Sequence, residues 1–108
     1  MAMEITDATF ETEVLNAKGL VLVDFWGTYC RPCLAMAPTI EQISETYAGR
    51  VKVCKANVDQ NQNSATMFGI SSIPALLLFR DGNVIDQMVG LQQKATLERL
   101  LDGAITQS

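Results

Sequence analysis

Two cysteines separated by two residues, Cys30 and Cys33, are the side chains of this sequence best suited to chemistry. In one turn of a helix, side chains three positions apart have Cβ atoms about 5–6 Å apart, close to what a disulfide needs. Such a pair can open and close with little backbone movement. The spacing therefore predicts a redox-active pair that alternates between two thiols and one disulfide.

The position of the pair in the chain predicts that its two sulfurs differ. An apolar, strand-like run at Leu20–Trp26 precedes it, and helical spacing begins at Arg31. Pro32 suits the first turn of a helix, where its missing N–H would have no partner. Cys30 then lies at the helix start, where unpaired N–H groups favour a thiolate, and Cys33 lies one turn deeper. We predict that Cys30 is the nucleophile and Cys33 the resolving residue.

Asp24 is the one charged residue within the apolar run before the cysteines. Burial disfavours an ionised carboxylate and raises its pKa, and a carboxyl poised near neutrality can accept a proton from a buried thiol. The alternative is a carboxylate that turns outward or pairs with a cation such as Lys55. Beside a Cys-x-x-Cys pair, we favour the proton-transfer role.

The composition excludes several other chemistries. The chain has three cysteines and no histidine, which removes Cys–His catalysis and leaves one chain short of the four ligands of a closed zinc or iron–sulfur site. A metal site shared between two chains is the remaining alternative, and we predict no metal. Cys54, in a predicted strand, is expected to be a buried, inert thiol. The net charge of −4, without a basic cluster, disfavours nucleic-acid binding.

Hydrophobic periodicity predicts an α/β fold in the order β-α-β-α-β-α-β-β-α, with one domain over residues 1–108. Alternating strands and helices in the first half imply parallel pairing, and Asp81-Gly82 indicates a hairpin, so the five strands form a mixed sheet flanked by four helices. Met36 and Met67 are expected in the core. The predicted strands are Met3–Ile5, Leu20–Trp26, Val51–Val58, Ala75–Phe79 and Val84–Val89. The predicted helices are one carrying Phe10, Val14 and Leu15 that stops before Gly19, and those at Arg31–Tyr47, Ser64–Phe68 and Lys94–Ile105.

The apolar stretches bear on where the protein works. The first residues, starting at Met1, have neither a basic region nor a long apolar run, so they do not look like a secretory signal. Leu20–Val23 and Ala75–Phe79 are too short to span a bilayer. An odd number of cysteines fits a reducing compartment. We therefore expect a soluble, cytoplasmic protein that does not associate with membranes.

With these residues in place, the chain resembles the thioredoxin family almost from end to end. Cys-x-x-Cys alone is a weak signal, but Cys-x-Pro-Cys with an upstream buried Asp and a downstream Ile-Pro is a specific one. The matching segments are Val23-Asp24-Phe25-Trp26, Cys30-Arg31-Pro32-Cys33, Ala37-Pro38, Asn57-Val58-Asp59, Gly69-Ile70, Ile73-Pro74, Phe79-Arg80-Asp81-Gly82 and Val89-Gly90.

The resemblance implies the thioredoxin fold and assigns roles to several residues. Cys30 would attack target disulfides, Cys33 would resolve the mixed disulfide, and Asp24, with Lys55 nearby, would assist proton transfer at Cys33. The bond before Pro74 would be cis. Residues beside the substrate groove would be Trp26, Ile73 and Gly90, and we expect Tyr29 to join Trp26 in a surface rim.

The resemblance also implies the partners of the chain. These would be protein disulfide substrates and a thioredoxin reductase that returns electrons from NADPH or ferredoxin. The Cys30–Cys33 disulfide would be the redox group, with no other cofactor bound, and we expect a monomer. The resulting prediction is a protein-disulfide reductase that carries electrons in cell redox homeostasis.

Three positions depart from the usual Trp-Cys-Gly-Pro-Cys-Lys centre of the family: Tyr29 replaces Trp, Arg31 replaces Gly and Leu34 replaces Lys. Because Arg31 is a cation adjacent to the nucleophile, we predict a modestly more acidic Cys30 thiol and a more oxidising couple. Two alternatives follow. One is an oxidase or isomerase, if the reduction potential is high, and the other is a binding scaffold that does not use its thiols.

Overall fold

The computed structural model describes residues 1–107, which form five strands and four helices in the predicted order. Apart from the first helix, every element begins and ends within two residues of its predicted bounds. The strands are β1 (Met3–Ile5), β2 (Leu20–Trp26), β3 (Val51–Asn57), β4 (Ala75–Arg80) and β5 (Asn83–Val89). The helices are α1 (Asp7–Phe10), α2 (Arg31–Thr46), α3 (Gln62–Met67) and α4 (Lys94–Thr106).

The first helix differs from its prediction. One α-helical turn, α1, continues as a wider π-helical turn over Glu11–Leu15 instead of as a regular helix. The backbone N–H of Asn16 donates to the carbonyl of Glu11, five residues earlier, at 2.8 Å. Phe10 and Val14 are nevertheless buried, so the apolar stripe correctly identified the side of this segment that faces the core.

The strands form one mixed sheet in the order β1-β3-β2-β4-β5. The strands β1, β3 and β2 are parallel, whereas β4 pairs antiparallel with β2 and with β5. The prediction of parallel pairing in the first half and a terminal hairpin is therefore confirmed, as is the mixed sheet flanked by four helices.

The central strand β2 is buried on both faces. Alternate residues of a strand point to opposite faces, so Leu20 and Leu22 join the core under α2 and α4, whereas Val21, Val23 and Phe25 join the core under α1 and α3. By the same alternation, Asp24 lies on the face that α2 covers. The Asp24 side chain therefore lies under the helix that carries the two cysteines.

The carboxyl end of β2 is where the predicted site residues converge. Phe25 pairs with Ala75, so the Ile73-Pro74 segment, which directly precedes β4, lies beside the end of β2. The backbone N–H of Gly90 donates to the carbonyl of Pro74 at 2.8 Å and holds the end of β5 there as well. The sheet thereby brings together segments that are far apart in the sequence.

At the other end of β2, a reciprocal pair of hydrogen bonds joins the β4–β5 turn to the residue before β2. The N–H of Gly19 donates to the Asp81 carboxylate at 2.7 Å, and the N–H of Asp81 donates to the Gly19 carbonyl at 3.0 Å. Asp81 and Gly82 both have positive φ, +50° and +82°, as a tight hairpin turn requires. A Cβ at Gly82 would collide with the carbonyl oxygen of Leu15.

The two methionines expected in the core have different surroundings. Met36, on α2, is fully buried as predicted. Met67 is 63% exposed, so its prediction is wrong. Met67 is the last residue of the short helix α3, and Ser64 is the residue of that helix that is buried.

Candidate active site

Cys30 and Cys33 form a disulfide at the start of α2, with their Cα atoms 5.2 Å apart. Cys30 is the N-cap of the helix, and Cys33 lies in its first turn, as the spacing predicted. The backbone N–H of Cys33 donates to the sulfur of Cys30 at 3.2 Å. Pro32 is the second residue of the helix, where its lack of an N–H leaves no helical hydrogen bond unmade.

Solvent reaches the two sulfur-bearing residues unequally. Cys30 is 8% exposed and Cys33 is 2% exposed, while Arg31 and Pro32 between them face the solvent. An incoming disulfide therefore meets Cys30 before Cys33. The N-terminus of α2 adds unpaired N–H groups and the positive end of the helix dipole on the side of Cys30.

Asp24 is buried beneath this helix, with 1% of its surface exposed. Burial raises the pKa of its carboxyl from 3.8 to about 7, against the opposing field of the Lys55 cation, and the Glu4 carboxylate adds to the increase. Among the described residues, nothing donates a hydrogen bond to Asp24 Oδ1. The alternative of an outward-turned carboxylate is thus wrong, and the carboxyl can exchange a proton near neutral pH.

Lys55 lies next to Asp24 across the β2–β3 pair, in direct register. Within the part of the chain that the structure describes, no ion pair joins the two, so the alternative of a paired Asp24 is also wrong. The Lys55 ammonium instead lies 4.5 Å from the centre of the Trp26 ring and 4.0 Å from Glu4 Oε2. Lys55 is therefore held against Trp26 at the border of the site.

Ile73, Pro74 and Gly90 lie near the carboxyl end of β2, the strand that leads to the cysteine turn. The Ile73–Pro74 peptide bond is cis, as the resemblance implied. Gly90 has a φ of +92° and is held to Pro74 by its N–H. These residues belong to two segments, one before β4 and one after β5, that meet near the carboxyl end of β2.

Tyr29 is 69% exposed and lies directly before the nucleophile. A Cβ built on Gly27 would come 3.2 Å from the Tyr29 ring and 3.0 Å from Ile73 Cδ1. The Tyr29 ring and the Ile73 side chain therefore converge over the bare backbone of Gly27. Ile73 therefore lies close to Tyr29, one of the two residues of the predicted rim.

Sequence reasoning missed two residues of this site. Glu4 is on β1, far from the cysteines in the chain, and only the register of β1 on β3 places it beside Lys55. Gly27 gave only a weak signal because a single glycine after a strand suggests no more than a turn. The position of Gly27 between the Trp26 and Tyr29 aromatics was the one available hint of close packing.

The third cysteine lies apart from this pair. Cys54 is fully buried on β3, where burial raises the pKa of its thiol to about 11. Over residues 1–107, no group of three or more His, Cys, Asp or Glu side chains is arranged to hold a metal ion. None of the helices described for this chain is long and apolar enough to cross a membrane.

Known proteins resemble the chain over nearly all of its length. Residues 1–103 match the thioredoxin family. The chain is 45% identical over 103 residues to a thioredoxin of Pseudomonas aeruginosa, covering 95% of each protein. It is 46% identical over 102 residues to thioredoxin 1 of Synechococcus elongatus, covering 94% of this chain and 95% of that one. A thioredoxin of Chlorobaculum thiosulfatiphilum is 44% identical over 99 residues, covering 92% of each.

A disulfide at the N-cap of a helix, next to the carboxyl end of a central strand, together with these relatives, defines a thiol–disulfide oxidoreductase. The chain belongs to the thioredoxin family. It acts on protein disulfides through a redox-active cysteine pair, as the sequence predicted. Membership of this family, together with the Cys30–Cys33 pair, does not favour a binding scaffold that does not use its thiols.

Proposed function

We propose that this protein reduces protein disulfides, with Cys30 as the attacking thiolate and Cys33 as the resolving thiol. The observation that carries the assignment is the unequal setting of the two residues on one helical turn. Cys30 is the more exposed residue, occupies the N-cap and accepts the N–H of Cys33. Hydrogen bonds and a helix N-terminus both favour negative charge on the sulfur that receives them.

The proposed reaction has two exchanges. The Cys30 thiolate attacks one sulfur of the substrate disulfide, forms a mixed disulfide and releases the other substrate sulfur as a thiolate. Cys33 loses its proton to Asp24, attacks the Cys30 sulfur and releases the second substrate sulfur. The substrate gains two electrons, and the protein is left with the Cys30–Cys33 disulfide.

Asp24 is proposed as the proton acceptor for Cys33. Its support is position and charge state: the carboxyl lies on the sheet face that α2 covers, and burial raises its pKa to about 7. A carboxyl with that pKa is ionised in a large fraction of molecules at neutral pH and can also return the proton. Lys55, which lowers the pKa of Asp24 by its charge, is proposed as a tuning residue.

The proposed substrate surface surrounds the Cys30 sulfur. Its apolar side consists of the convergent Tyr29 and Ile73 side chains and the buried Pro74, and Gly90 leaves open space where other residues carry a Cβ. Arg31 and Pro32 form its outer edge. Trp26 stands behind it and is held in place by Lys55.

Family membership supports protein disulfides as substrates and a thioredoxin reductase as the electron donor. We propose that the protein works as a cytoplasmic monomer and that its disulfide is its one redox group, with no cofactor bound. Net reduction also requires a low reduction potential. An equilibrium titration against glutathione checks this, because a high potential would instead indicate an oxidase or isomerase.

Trapping of the mixed disulfide tests the assigned roles. The Cys33→Ser variant should accumulate a covalent complex with a disulfide-bonded substrate, such as insulin, and a reducing agent should release it. Cys30→Ser should form none, and Cys54→Ser, the matched thiol control, should turn over without accumulating a complex. A stable complex with Cys30→Ser, or none with Cys33→Ser, would contradict the assignment.

A further inference from the structure

Three charged residues lie side by side across three neighbouring strands. Glu4 on β1 is the register partner of Lys55 on β3, and Lys55 is the register partner of Asp24 on β2. Register partners project from the same face of a sheet, so the three side chains form a row. The row runs from a half-exposed carboxylate, through a largely buried ammonium, to a fully buried carboxyl.

The ammonium in the middle of the row is engaged on the side of Glu4. Lys55 Nζ lies 4.0 Å from Glu4 Oε2 and 4.5 Å from the centre of the Trp26 ring. No ion pair with Asp24 is formed, and among the described residues Asp24 Oδ1 has no hydrogen-bond partner. The Lys55 ammonium thus contacts the outer carboxylate, whereas it acts on Asp24 through its charge without forming an ion pair.

We propose that Glu4 is a positioning residue that draws the Lys55 ammonium toward the sheet edge and away from the Asp24 carboxyl. The use of Asp24 in turnover rests on the function proposed above, whereas the arrangement of the three residues does not. Glu4 touches neither substrate nor reacting sulfur and acts only through Lys55 and its own charge.

Few other groups near Asp24 could change the pKa of its carboxyl by their charge. On the sheet face of Asp24, the charged groups from β1 and β3 are Glu4 and Lys55, and the partner from β4 is the uncharged Leu76. The covering helix α2 adds the two cysteine thiols once the disulfide is reduced.

Removal of the Glu4 charge has two effects of the same sign. The ionised form of Asp24 loses a repelling negative charge, and Lys55 loses the partner that holds it outward. Both effects favour the ionised carboxylate, so the pKa of Asp24 should fall below its present value of about 7. The repulsion between the Glu4 and Asp24 carboxylates weakens with added salt because Glu4 is half exposed.

Carbon-13 NMR titration of the Asp24 carboxyl in the oxidised protein tests this inference without reference to catalysis. Glu4→Gln should lower the midpoint by about half a pH unit. Glu11→Gln, which removes an equal charge from the exposed Glu11, is the matched control and should leave it unchanged. An unchanged or higher midpoint in Glu4→Gln would overturn the proposal.

A double-mutant cycle separates positioning from the direct field of Glu4. In a Lys55→Met background, Glu4→Gln should shift the Asp24 midpoint by clearly less than it does in the wild type. An equal shift in both backgrounds would show that Glu4 acts only through its own charge, and would overturn the positioning role.

The pH profile of insulin reduction then tells the two proposals apart. If Asp24 accepts the Cys33 proton, the profile should move to lower pH in Glu4→Gln together with the NMR midpoint. A moved midpoint with an unmoved profile would support the role of Glu4 and contradict only the catalytic role of Asp24.

Discussion

The backbone N–H of Cys33 donates to the sulfur of Cys30 at 3.2 Å, so the second cysteine helps to set the chemistry of the first. The bond comes from the N-capping position of Cys30, whose sulfur occupies the place that a hydroxyl or carboxylate oxygen takes in other helices. Charge on that sulfur is stabilised by the same group that would stabilise a capping anion. We predict that the cation of Arg31, the next residue in the chain, adds to this effect.

Arg31→Gly should therefore make the Cys30 thiol less acidic. We expect the midpoint of its thiolate absorbance near 240 nm to rise by about half a pH unit or less, because an exposed cation is screened by solvent and salt. The couple should become less oxidising, since the reduced state loses stabilisation. Arg31→Lys keeps the charge and should stay close to wild type. An unchanged or lower midpoint in Arg31→Gly would contradict the effect.

Asp24→Asn should stabilise the folded protein at high pH. In the folded state the pKa of Asp24 is raised from 3.8 to about 7, so the folded protein holds this proton more tightly than the unfolded chain does. Below about pH 4 the carboxyl is neutral in both states, so it costs the folded protein no stability. As the pH rises toward 7 the unfolded chain loses the proton first, and the free energy of unfolding of the wild type falls. At pH 8 the variant should gain about 2–4 kcal/mol.

Urea unfolding of the oxidised protein at several pH values measures that gain. The difference between Asp24→Asn and wild type should grow between about pH 4 and 7 and then level off. Asp86→Asn, on the exposed strand β5, provides a carboxylate control that should show no such trend. A difference that is constant with pH would show that the pKa of Asp24 is not raised in the folded protein.

Gly27→Ala should disturb substrate binding more than thiol chemistry. The new methyl group would press on the Tyr29 ring and on Ile73 Cδ1, and the exposed ring is the part that can move away. We expect KM for a protein disulfide to rise about two- to fivefold, which corresponds to ~0.4–1 kcal/mol. The rate with a small disulfide such as dithionitrobenzoate should stay unchanged. Gly103→Ala, on α4 with open space around it, serves as the control.

The Cys54 thiol should not react with alkylating reagents in the folded protein. It is fully buried, and burial raises the pKa of its thiol to about 11, so the thiolate that reacts with iodoacetamide is scarce. Oxidised native protein should take up no label at pH 8, and one equivalent should react after unfolding. Cys54→Ala should reduce insulin at a rate within twofold of wild type. Labelling of the native oxidised protein would show that β3 opens readily.

The fold could be predicted from the sequence wherever local pattern and burial agree. Leu20–Trp26 is apolar throughout because both faces of β2 are covered, and the 3.6-residue spacing of α2 matches the face that packs on the sheet. Met67 was assigned wrongly because α3 is too short for a periodicity to show which side faces the core. The π-helical turn after α1 could not be predicted from the sequence, because one extra residue in a single turn leaves the apolar stripe almost unchanged.

The candidate site could be predicted for residues near the cysteines in the chain, and less well for the others. Asp24 could be identified because it is a charged residue in an apolar strand. Cys30 and Cys33 could be identified from their Cys-x-x-Cys spacing. The place of Glu4 depends on the pairing of β1 with β3, which no local pattern contains. The partners of Lys55 could not be foreseen for the same reason, so its contact with Trp26 in place of Asp24 is a result of the structure.

The reciprocal bonds between Gly19 and Asp81 bear on how the domain can be engineered. Asp81-Gly82 reads as an ordinary hairpin tip, the kind of place usually chosen to insert a foreign peptide or to open new termini. Here that tip is tied to the segment before β2 and lies against the backbone of Leu15. A graft at this tip would separate the start of the central strand from its neighbour.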